Sequence, residues 1–235
     1  MNPEPNLERW SAWNAATLAA AAIASSVLGA PWPAAGAAAL SFAALLAAWR
    51  GRSTPGGGFG AANAVTAARF VVVLLIGTAL HGAPGASVAA AVILVVALDA
   101  FDGWLARRNA TSSAFGEHFD METDALLVLI VTLELWTRDR LGAWVLAGGA
   151  LRYAYVLCLS ALPSPCGPQP RSRFGRYVFF VLMTGLVAPL LSSARWATLL
   201  AAGGTLAVSA SFARGFVYSY ARAGLGGSGR SSHGS

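Results

Sequence analysis

Long apolar stretches, separated by short polar or Gly- and Pro-rich segments, run through almost the whole sequence. A helix needs about 20 mostly apolar residues to cross a membrane. Ala, Leu and Val fill these stretches without period-two alternation, which favours helices over the strands of a β-barrel. The pattern predicts eight spanning helices, at 11–29, 33–50, 63–81, 86–108, 116–138, 141–162, 173–192 and 195–218. We therefore expect an all-α, polytopic membrane helix bundle.

The polar segments indicate how this bundle is organised. Residues 50–60, RGRSTPGGGFG, form a polar, Gly-rich linker that marks the best internal boundary. The boundary predicts a two-helix transmembrane extension at 1–55, followed by a six-helix core at 56–222. The remaining stretch, 223–235, is rich in Gly and Ser and predicts a disordered tail.

Composition supports the membrane assignment and excludes other classes of protein. Charged residues make up 11% of the chain and hydrophobic residues 56%, whereas soluble domains carry about 25% charged residues. The net charge of +6 is consistent with a nucleic-acid partner. However, the arginines lie at the ends of apolar segments, as is typical of positive-inside anchoring. We therefore expect membrane lipids around the chain and no nucleic-acid partner.

The arginine distribution also predicts the orientation of the chain. With eight spans both termini lie on one side of the membrane, and the opposite side collects only Arg138, Arg140 and Arg195. Cytoplasmic loops carry the excess of basic residues. We therefore place both termini and the 108–116 loop in the cytoplasm, with the protein in the cell (inner) membrane.

Acidic residues are concentrated in one short window. Six of the ten acids fall between Asp99 and Asp124. Asp99 and Asp102 are three residues apart and share a face of the fourth helix, while Asp120 and Asp124 are four apart and share a face of the fifth. Since a short polar loop joins the two helices, we predict antiparallel neighbours whose four carboxylates converge near the cytoplasmic interface.

Four converging carboxylates require a compensating cation. Oxygen ligands without His or Cys suit hard ions such as Mg²⁺, Mn²⁺ or Ca²⁺, and four are more than one Mg²⁺ usually takes from protein. The sequence therefore predicts a two-metal site, of the kind that clamps a phosphoryl group during in-line displacement. Gly103 and Ala106 leave space for a ligand beside the helix, and Arg107 is placed to meet a phosphate.

The order of these residues resembles the defining motif of the CDP-alcohol phosphotransferase family. The spacing Asp-x-x-Asp-Gly-x-x-Ala-Arg, eight residues, Gly-x-x-x-Asp-x-x-x-Asp is matched without departure at Asp99, Asp102, Gly103, Ala106, Arg107, Gly116, Asp120 and Asp124. A second family pattern, Pro-Asn-x-x-Thr-x-x-Arg, is matched at Asn63, Thr66 and Arg69, with Ala62 in place of the proline. The resemblance covers about 60–220 and leaves the first two helices outside.

The resemblance implies an integral membrane enzyme of phospholipid biosynthesis. Members move a substituted phosphate from a CDP-linked donor to an alcohol and release CMP, and the donor expected here is CDP-diacylglycerol. By similarity Asp99, Asp102 and Asp120 would ligate two Mg²⁺ or Mn²⁺ ions, and Asp124 would join them and act as general base. The implied nucleotide-binding residues are Gly103, Ala106, Arg107, Gly116, Asn63 and Thr66. A homodimer is left open, because no residue indicates one.

Three arginines bear on the acceptor alcohol. Arg152 lies inside the sixth helix, where it needs an anionic partner, while Arg173 and Arg176 begin the seventh. Family members with phosphorylated acceptors tend to use basic residues in these two helices to hold that phosphate. The resemblance thus implies a phosphate-holding role for the three, with positive-inside anchoring as the alternative for Arg173 and Arg176. A phosphate-holding role would make the acceptor similar to glycerol 3-phosphate or inositol phosphate.

Other acids receive simpler interpretations. Glu117, His118 and Glu122 lie beside the aspartate stripe, and we expect a solvated helix face on which His118 and Glu122 pair at i, i+4. Glu134 and Arg138 predict a second i, i+4 pair, at the opposite interface.

Two alternative functions stay open on residues alone. A cation transporter would carry acids near mid-membrane on several helices, whereas here they lie at one interface. An aspartate-rich, Mg²⁺-dependent membrane prenyltransferase would need a second aspartate motif on another helix pair. After Asp124 the sequence has one further aspartate, Asp139, in a loop on the opposite side.

Overall fold

The computed structural model describes residues 4–49, 58–109, 113–161 and 173–227; the side chains of 4, 5, 100–109, 173, 174, 176 and 218–227 lie outside this description. Within these parts the chain forms eight α-helices and no strand, which confirms the predicted all-α bundle. The helices are α1 (Glu4–Leu28), α2 (Trp32–Ala48), α3 (Ala61–Gly77), α4 (Gly85–Asn109), α5 (Ala114–Thr137), α6 (Leu146–Ala161), α7 (Arg173–Leu191) and α8 (Arg195–Gly227).

Helix α5 is the central element of the bundle. It contacts α1, α2, α3, α6 and α7. From Ala125 to Leu135 every residue is buried, as expected of a stretch that is apolar on all sides apart from Thr132 and the paired Glu134. The first half of α5 carries the acids of the predicted site, so the core of the bundle holds this helix firmly at its carboxyl half and presents its amino half to the site.

The outer helices match the dimensions of a membrane. Within the described parts of the chain, three segments are long and apolar enough to cross one, namely Asn6–Leu28, Ala143–Ala161 and Arg195–Val217. The same parts contain four shorter apolar segments, Trp32–Ala48, Ala61–Gly77, Gly85–Asp99 and Tyr177–Leu191. Large apolar side chains are exposed on the outside of these helices, which suits contact with lipid tails. Crossing by all eight helices stays a prediction.

Small residues allow α7 and α8 to pack closely. A Cβ added at Gly204 would lie 2.9 Å from Leu182 Cα, and one at Gly185 would lie 2.6 Å from the Leu200 carbonyl oxygen. No side chain larger than hydrogen fits at either position without moving the partner backbone. Packing of this kind drives helix association in lipid, where the hydrophobic effect contributes little.

The contacts of α4 differ from the predicted pairing of α4 with α5. Within the described residues α4 packs mainly against α3 and α7, and α3 packs against both α4 and α5. The predicted direct pairing of α4 with α5 is therefore not the main contact, because α3 joins the two. In addition, α1 packs against α5 and α6, and α2 against α3. The first two helices thus both contact α5, which carries Asp120 and Asp124.

The predicted pair of Glu134 and Arg138 is confirmed. Arg138 Nε lies 2.5 Å from Glu134 Oε2, and its other nitrogens donate to the carbonyls of Ala83 at 2.7 Å and Leu80 at 3.0 Å. Glu134 is fully buried and also contacts His81 Nδ1 at 3.2 Å. The pair therefore fastens the turn between α3 and α4 to the end of α5.

Candidate active site

Three aspartates from two helices meet at one place. Oxygens of Asp99 on α4 and of Asp120 and Asp124 on α5 all lie within 4.8 Å of one another. Asp120 and Asp124 share a face because they are one helical turn apart. The three side chains are about a quarter to a third exposed, at 32%, 35% and 25%. The site is therefore partly buried but open to a ligand.

Arg69 of α3 connects these carboxylates. Its side chain is fully buried, and Nη1 lies 3.1 Å from Asp99 Oδ1 and 2.6 Å from Asp120 Oδ1. Its Nη2 donates to Asp124 Oδ1. A guanidinium stays charged under all physiological conditions, so the three acids share a permanent cation. Sequence reasoning noted Arg69 as a motif position but did not place it among the acids. The signal was available, because an arginine inside an apolar helix needs an anionic partner.

Four predicted residues fall at the end of α4. Asp102, Gly103, Ala106 and Arg107 belong to the helical part of α4, but their side chains lie outside the described residues. Helical spacing puts Asp102 on the same face as Asp99. Their roles in metal and nucleotide binding stay predictions.

The predicted nucleotide-binding residues of α3 and α5 lie next to one another. Asn63 and Thr66 are buried on α3, 5% and 4% exposed, and donate to the carbonyls of Phe59 and Ala62. A Cβ at Gly116 would lie 2.6 Å from Asn63 Oδ1. Gly116 therefore permits the start of α5 to approach α3 at the edge of the aspartate site. The Ser113 hydroxyl caps this end of α5 by accepting from the Gly116 amide at 3.1 Å.

The interpretation of Glu122 was wrong. Glu122 is fully buried and not on a solvated face, and the partner of His118 Nδ1 is the Ala114 carbonyl at 3.0 Å. Glu122 instead accepts from Ser11 Oγ, Asn14 Nδ2 and Arg152 Nη2, at 2.8, 3.1 and 2.7 Å. Local sequence could not indicate this, since all three donors come from distant parts of the chain.

This ion pair supplies the anionic partner that Arg152 needs inside α6. The charge of Arg152 is already compensated by Glu122. A phosphate bound by Arg152 would therefore have to share this guanidinium with Glu122. Arg173 and Arg176 lie in the first turn of α7, and the Arg173 and Arg176 side chains are outside the description. The acceptor-phosphate role of the three arginines therefore stays a prediction.

The donor set fits a hard divalent cation. It consists of carboxylate oxygens, without nitrogen or sulfur ligands among its three described members, and such sets suit Mg²⁺ or Mn²⁺. Opposite ligands of an octahedral Mg²⁺ lie about 4.2 Å apart, so oxygens within 4.8 Å can reach one ion after a small side-chain adjustment. Arg69 alone cannot neutralise three carboxylates, which leaves the site able to attract such a cation.

Comparison with protein families identifies the group to which this site belongs. A family model described as CDP-alcohol phosphatidyltransferase matches residues 59–209, more than half of the chain. The chain belongs to the CDP-alcohol phosphatidyltransferase family. The matched region contains Arg69 and the three described aspartates and leaves α1 and α2 outside. Comparison with curated proteins and with solved structures gives no significant match.

Family membership establishes the general activity. CDP-alcohol phosphatidyltransferases transfer substituted phosphate groups from a CDP-alcohol donor to an alcohol acceptor in phospholipid biosynthesis, and members generally use divalent metals. Together with the apolar helices, membership makes the chain a membrane enzyme. The transporter and prenyltransferase alternatives are therefore set aside.

Proposed function

We propose that this CDP-alcohol phosphatidyltransferase moves the phosphatidyl group of CDP-diacylglycerol to a small alcohol and releases CMP. The observation that supports the proposal most strongly is the convergence of Asp99, Asp120 and Asp124 around Arg69 at the end of the bundle. A lipid donor suits this position. Its acyl chains can stay beside the apolar helices while its charged headgroup reaches the partly exposed carboxylates.

Asp99, Asp102, Asp120 and Asp124 would hold two Mg²⁺ or Mn²⁺ ions, as the motif implies. When bound, such ions neutralise the diphosphate of the donor and favour in-line attack on phosphorus. One divalent ion cannot balance four carboxylates even with the help of Arg69. Two ions leave a small positive excess, which suits an anionic diphosphate.

Asp124 is the proposed general base. The acceptor hydroxyl loses its proton to the Asp124 carboxylate, and its oxygen forms a bond to the phosphatidyl phosphorus. The bond between that phosphorus and the oxygen of the CMP phosphate breaks, and CMP leaves with the electron pair. Asp124 is one quarter exposed, so the acceptor can come within the hydrogen-bonding reach that a general base requires.

The nucleotide would bind on the α3 side of the aspartates. We assign Asn63, Thr66 and Gly116 to one nucleotide wall, because Gly116 packs against Asn63 and Thr66 lies about one turn further along α3. Gly103, Ala106 and Arg107 follow Asp99 along α4. In this arrangement the cytidine lies beside the small residues, and Arg107 meets a phosphate of the donor.

The acceptor is proposed to be a phosphorylated alcohol held by Arg173 and Arg176. These arginines begin α7, while Arg152 is paired with Glu122. The proposed orientation has the site and both termini in the cytoplasm, where CDP-linked lipids and phosphorylated alcohols are available to a bacterial-type inner-membrane enzyme. Residues 56–222 are the proposed catalytic core, with 1–55 as the extension.

An assay of CMP release tests the proposal. Purified full-length protein is incubated with CDP-diacylglycerol, a panel of free and phosphorylated alcohols, and either Mg²⁺ or EDTA. We expect CMP with Mg²⁺ and one class of acceptor, and none with EDTA. No metal-dependent CMP with any acceptor would remove CDP-diacylglycerol as donor.

A further inference from the structure

A second polar cluster lies on the side of α5 that faces away from the aspartates. It consists of Ser11 and Asn14 of α1, Glu122 of α5 and Arg152 of α6, and we call it the Glu122 cluster. The carboxylate of Glu122 is fully buried, and its two oxygens accept three hydrogen bonds, at 2.7 to 3.1 Å, from the other members.

The Glu122 cluster and the aspartate site occupy opposite sides of the same helical turn. An α-helix rotates by about 100° and rises by about 1.5 Å per residue. Glu122 therefore lies midway in depth between Asp120 and Asp124 and about 160° around the axis from each. Any rotation or axial shift of α5 that breaks one set of contacts must also disturb the other.

Burial of the Glu122 carboxylate favours the observed rotation and depth of α5 over other positions of this helix. Removing an ion pair from water is costly, and the cost is offset only when the remaining hydrogen-bonding capacity is satisfied. Both Glu122 oxygens are satisfied in the observed position of α5. A turned helix would leave the charge buried without these donors, so the Glu122 cluster resists rotation at the depth of the aspartates.

Two of the donors come from outside the matched family region. Ser11 and Asn14 belong to α1, whereas the match begins at residue 59. Asn14 is itself oriented by α2, because Ser41 Oγ donates to its Oδ1 at 2.8 Å while its Nδ2 donates to Glu122. The extension therefore presents a fixed donor to the helix that carries the aspartates.

We propose that the N-terminal extension positions α5 for metal binding. Ser11, Asn14 and Glu122 are positioning residues, which hold Asp120 and Asp124 at the rotation and depth where they meet Asp99. They touch neither metal nor substrate. The inference rests on the proposed metal-dependent transfer, and it assigns to α1 and α2 a part in that reaction.

An exchange of amide and carboxylate tests the proposal in the full-length protein. Asn14→Asp puts a second carboxylate against Glu122, and Glu122→Gln leaves Arg152 without its anion. In the double variant N14D/E122Q the new amide donates to the new carboxylate, and Ser11, Ser41 and Arg152 keep acceptors. Total charge and side-chain size are also preserved.

The readout is Mn²⁺ affinity, measured by the electron paramagnetic resonance of free Mn²⁺, together with the melting temperature. We expect Asn14→Asp to weaken Mn²⁺ binding by about tenfold, the lower range for residues that orient metal ligands. The double variant should return to within about threefold of wild type, because the two changes compensate each other. Ser26→Ala is the matched control on α1, since the Ser26 hydroxyl bonds to Ala22 of its own helix, and it should bind Mn²⁺ as wild type does.

Ser11→Ala provides a milder variant if either charge change prevents folding. It removes one hydrogen bond to Glu122, while Arg152 keeps its bond to the same oxygen. We expect Mn²⁺ binding about threefold weaker and a melting temperature lower by about 2–4 °C, the effect of losing about 1 kcal/mol. Wild-type Mn²⁺ affinity in folded Asn14→Asp or Ser11→Ala protein, or failure of the double variant to recover, would overturn the inference alone. A wild-type protein that binds no Mn²⁺ would instead overturn the proposed metal site together with it.

Discussion

Arg69 Nη1 on α3 lies 2.6 Å from Asp120 Oδ1 on α5. The same guanidinium also reaches Asp99 of α4 and Asp124 of α5. Three helices are thus joined at one buried cation, and the aspartates are held together before any metal binds. This arrangement separates two tasks. Arg69 holds the three aspartates together, and the negative charge of the aspartates that Arg69 does not balance attracts the metal.

Replacement of Arg69 should destabilise the metal-free protein more than the Mg²⁺-bound protein. Arg69→Gln leaves three neighbouring carboxylates without their cation, and we expect a loss of about 3 kcal/mol, the low end for one broken buried ion pair. Mg²⁺ should recover part of this loss, so the rise in melting temperature on adding Mg²⁺ should be larger than in wild type. Thermal unfolding with EDTA and with Mg²⁺ measures both, and an equal rise in the two proteins would contradict the role of Arg69.

Replacement of the proposed base should slow turnover strongly without unfolding the protein. Asp124→Asn keeps side-chain size but cannot take a proton, and we expect kcat to fall by about 10²- to 10⁴-fold. Release of CMP at saturating donor and acceptor measures the change. Glu117→Gln serves as control, because Glu117 is an exposed acid on the same helix. Unchanged kcat in Asp124→Asn would remove Asp124 as the base.

Gly116 should control the binding of the donor. A Cβ there would lie 2.6 Å from Asn63 Oδ1, so Gly116→Ala must displace Asn63 or the start of α5. We expect the KM for the CDP-linked donor to rise by about tenfold, since small misplacements of binding groups are costly. Gly36→Ala is the control, as nothing lies within 4 Å of its Cβ position. Equal donor KM values in the two variants would argue against the nucleotide wall.

Substitution at the start of α7 distinguishes acceptor binding from anchoring. Replacing Arg173 and Arg176 by Ala should raise the KM for a phosphorylated acceptor by about 10- to 100-fold, the effect of losing hydrogen bonds to a charged group. The KM for an unphosphorylated alcohol should not change. If neither KM changes, positive-inside anchoring explains these residues.

Two adjacent glycines of α8 should respond differently to the same substitution. Gly204→Ala places a Cβ 2.9 Å from Leu182 Cα, and such overpacking should cost about 1–3 kcal/mol. At Gly203 nothing lies within 4 Å, so Gly203→Ala should be neutral or stabilise the helix by up to about 1 kcal/mol. Unfolding in mixed detergent micelles compares them, and equal effects would contradict the α7–α8 packing.

The parts of the structure that depend on local spacing could be predicted from the sequence. Apolar stretches identified the helices, and the spacing of Asp120 and Asp124 placed both on one face. Glu134 and Arg138 are likewise one turn apart, and their pair forms. In each case residues close in sequence determine the geometry.

The parts that depend on which helices are neighbours could not be predicted. Arg69 meets Asp120 because α3 packs against both α4 and α5, and no local pattern specifies that contact. Glu122 is four residues from His118, which suggested a surface pair, but α1 and α6 cover that side of α5. Local sequence does not distinguish a solvated helix face from one that is covered by a helix 111 residues earlier in the chain.

The two fully buried glutamates of α5, Glu122 and Glu134, have a consequence for how the chain enters the membrane. Acidic side chains oppose release of a helix from the translocation channel into lipid. Ser11 and Asn14 are synthesised before α5, but Arg152 comes after it. In a nascent chain that ends before Arg152, Glu122 therefore lacks the cation that pairs with it. Insertion of α5 would then be completed only when α6 emerges, so that entry of α5 into lipid depends on its packing against α6.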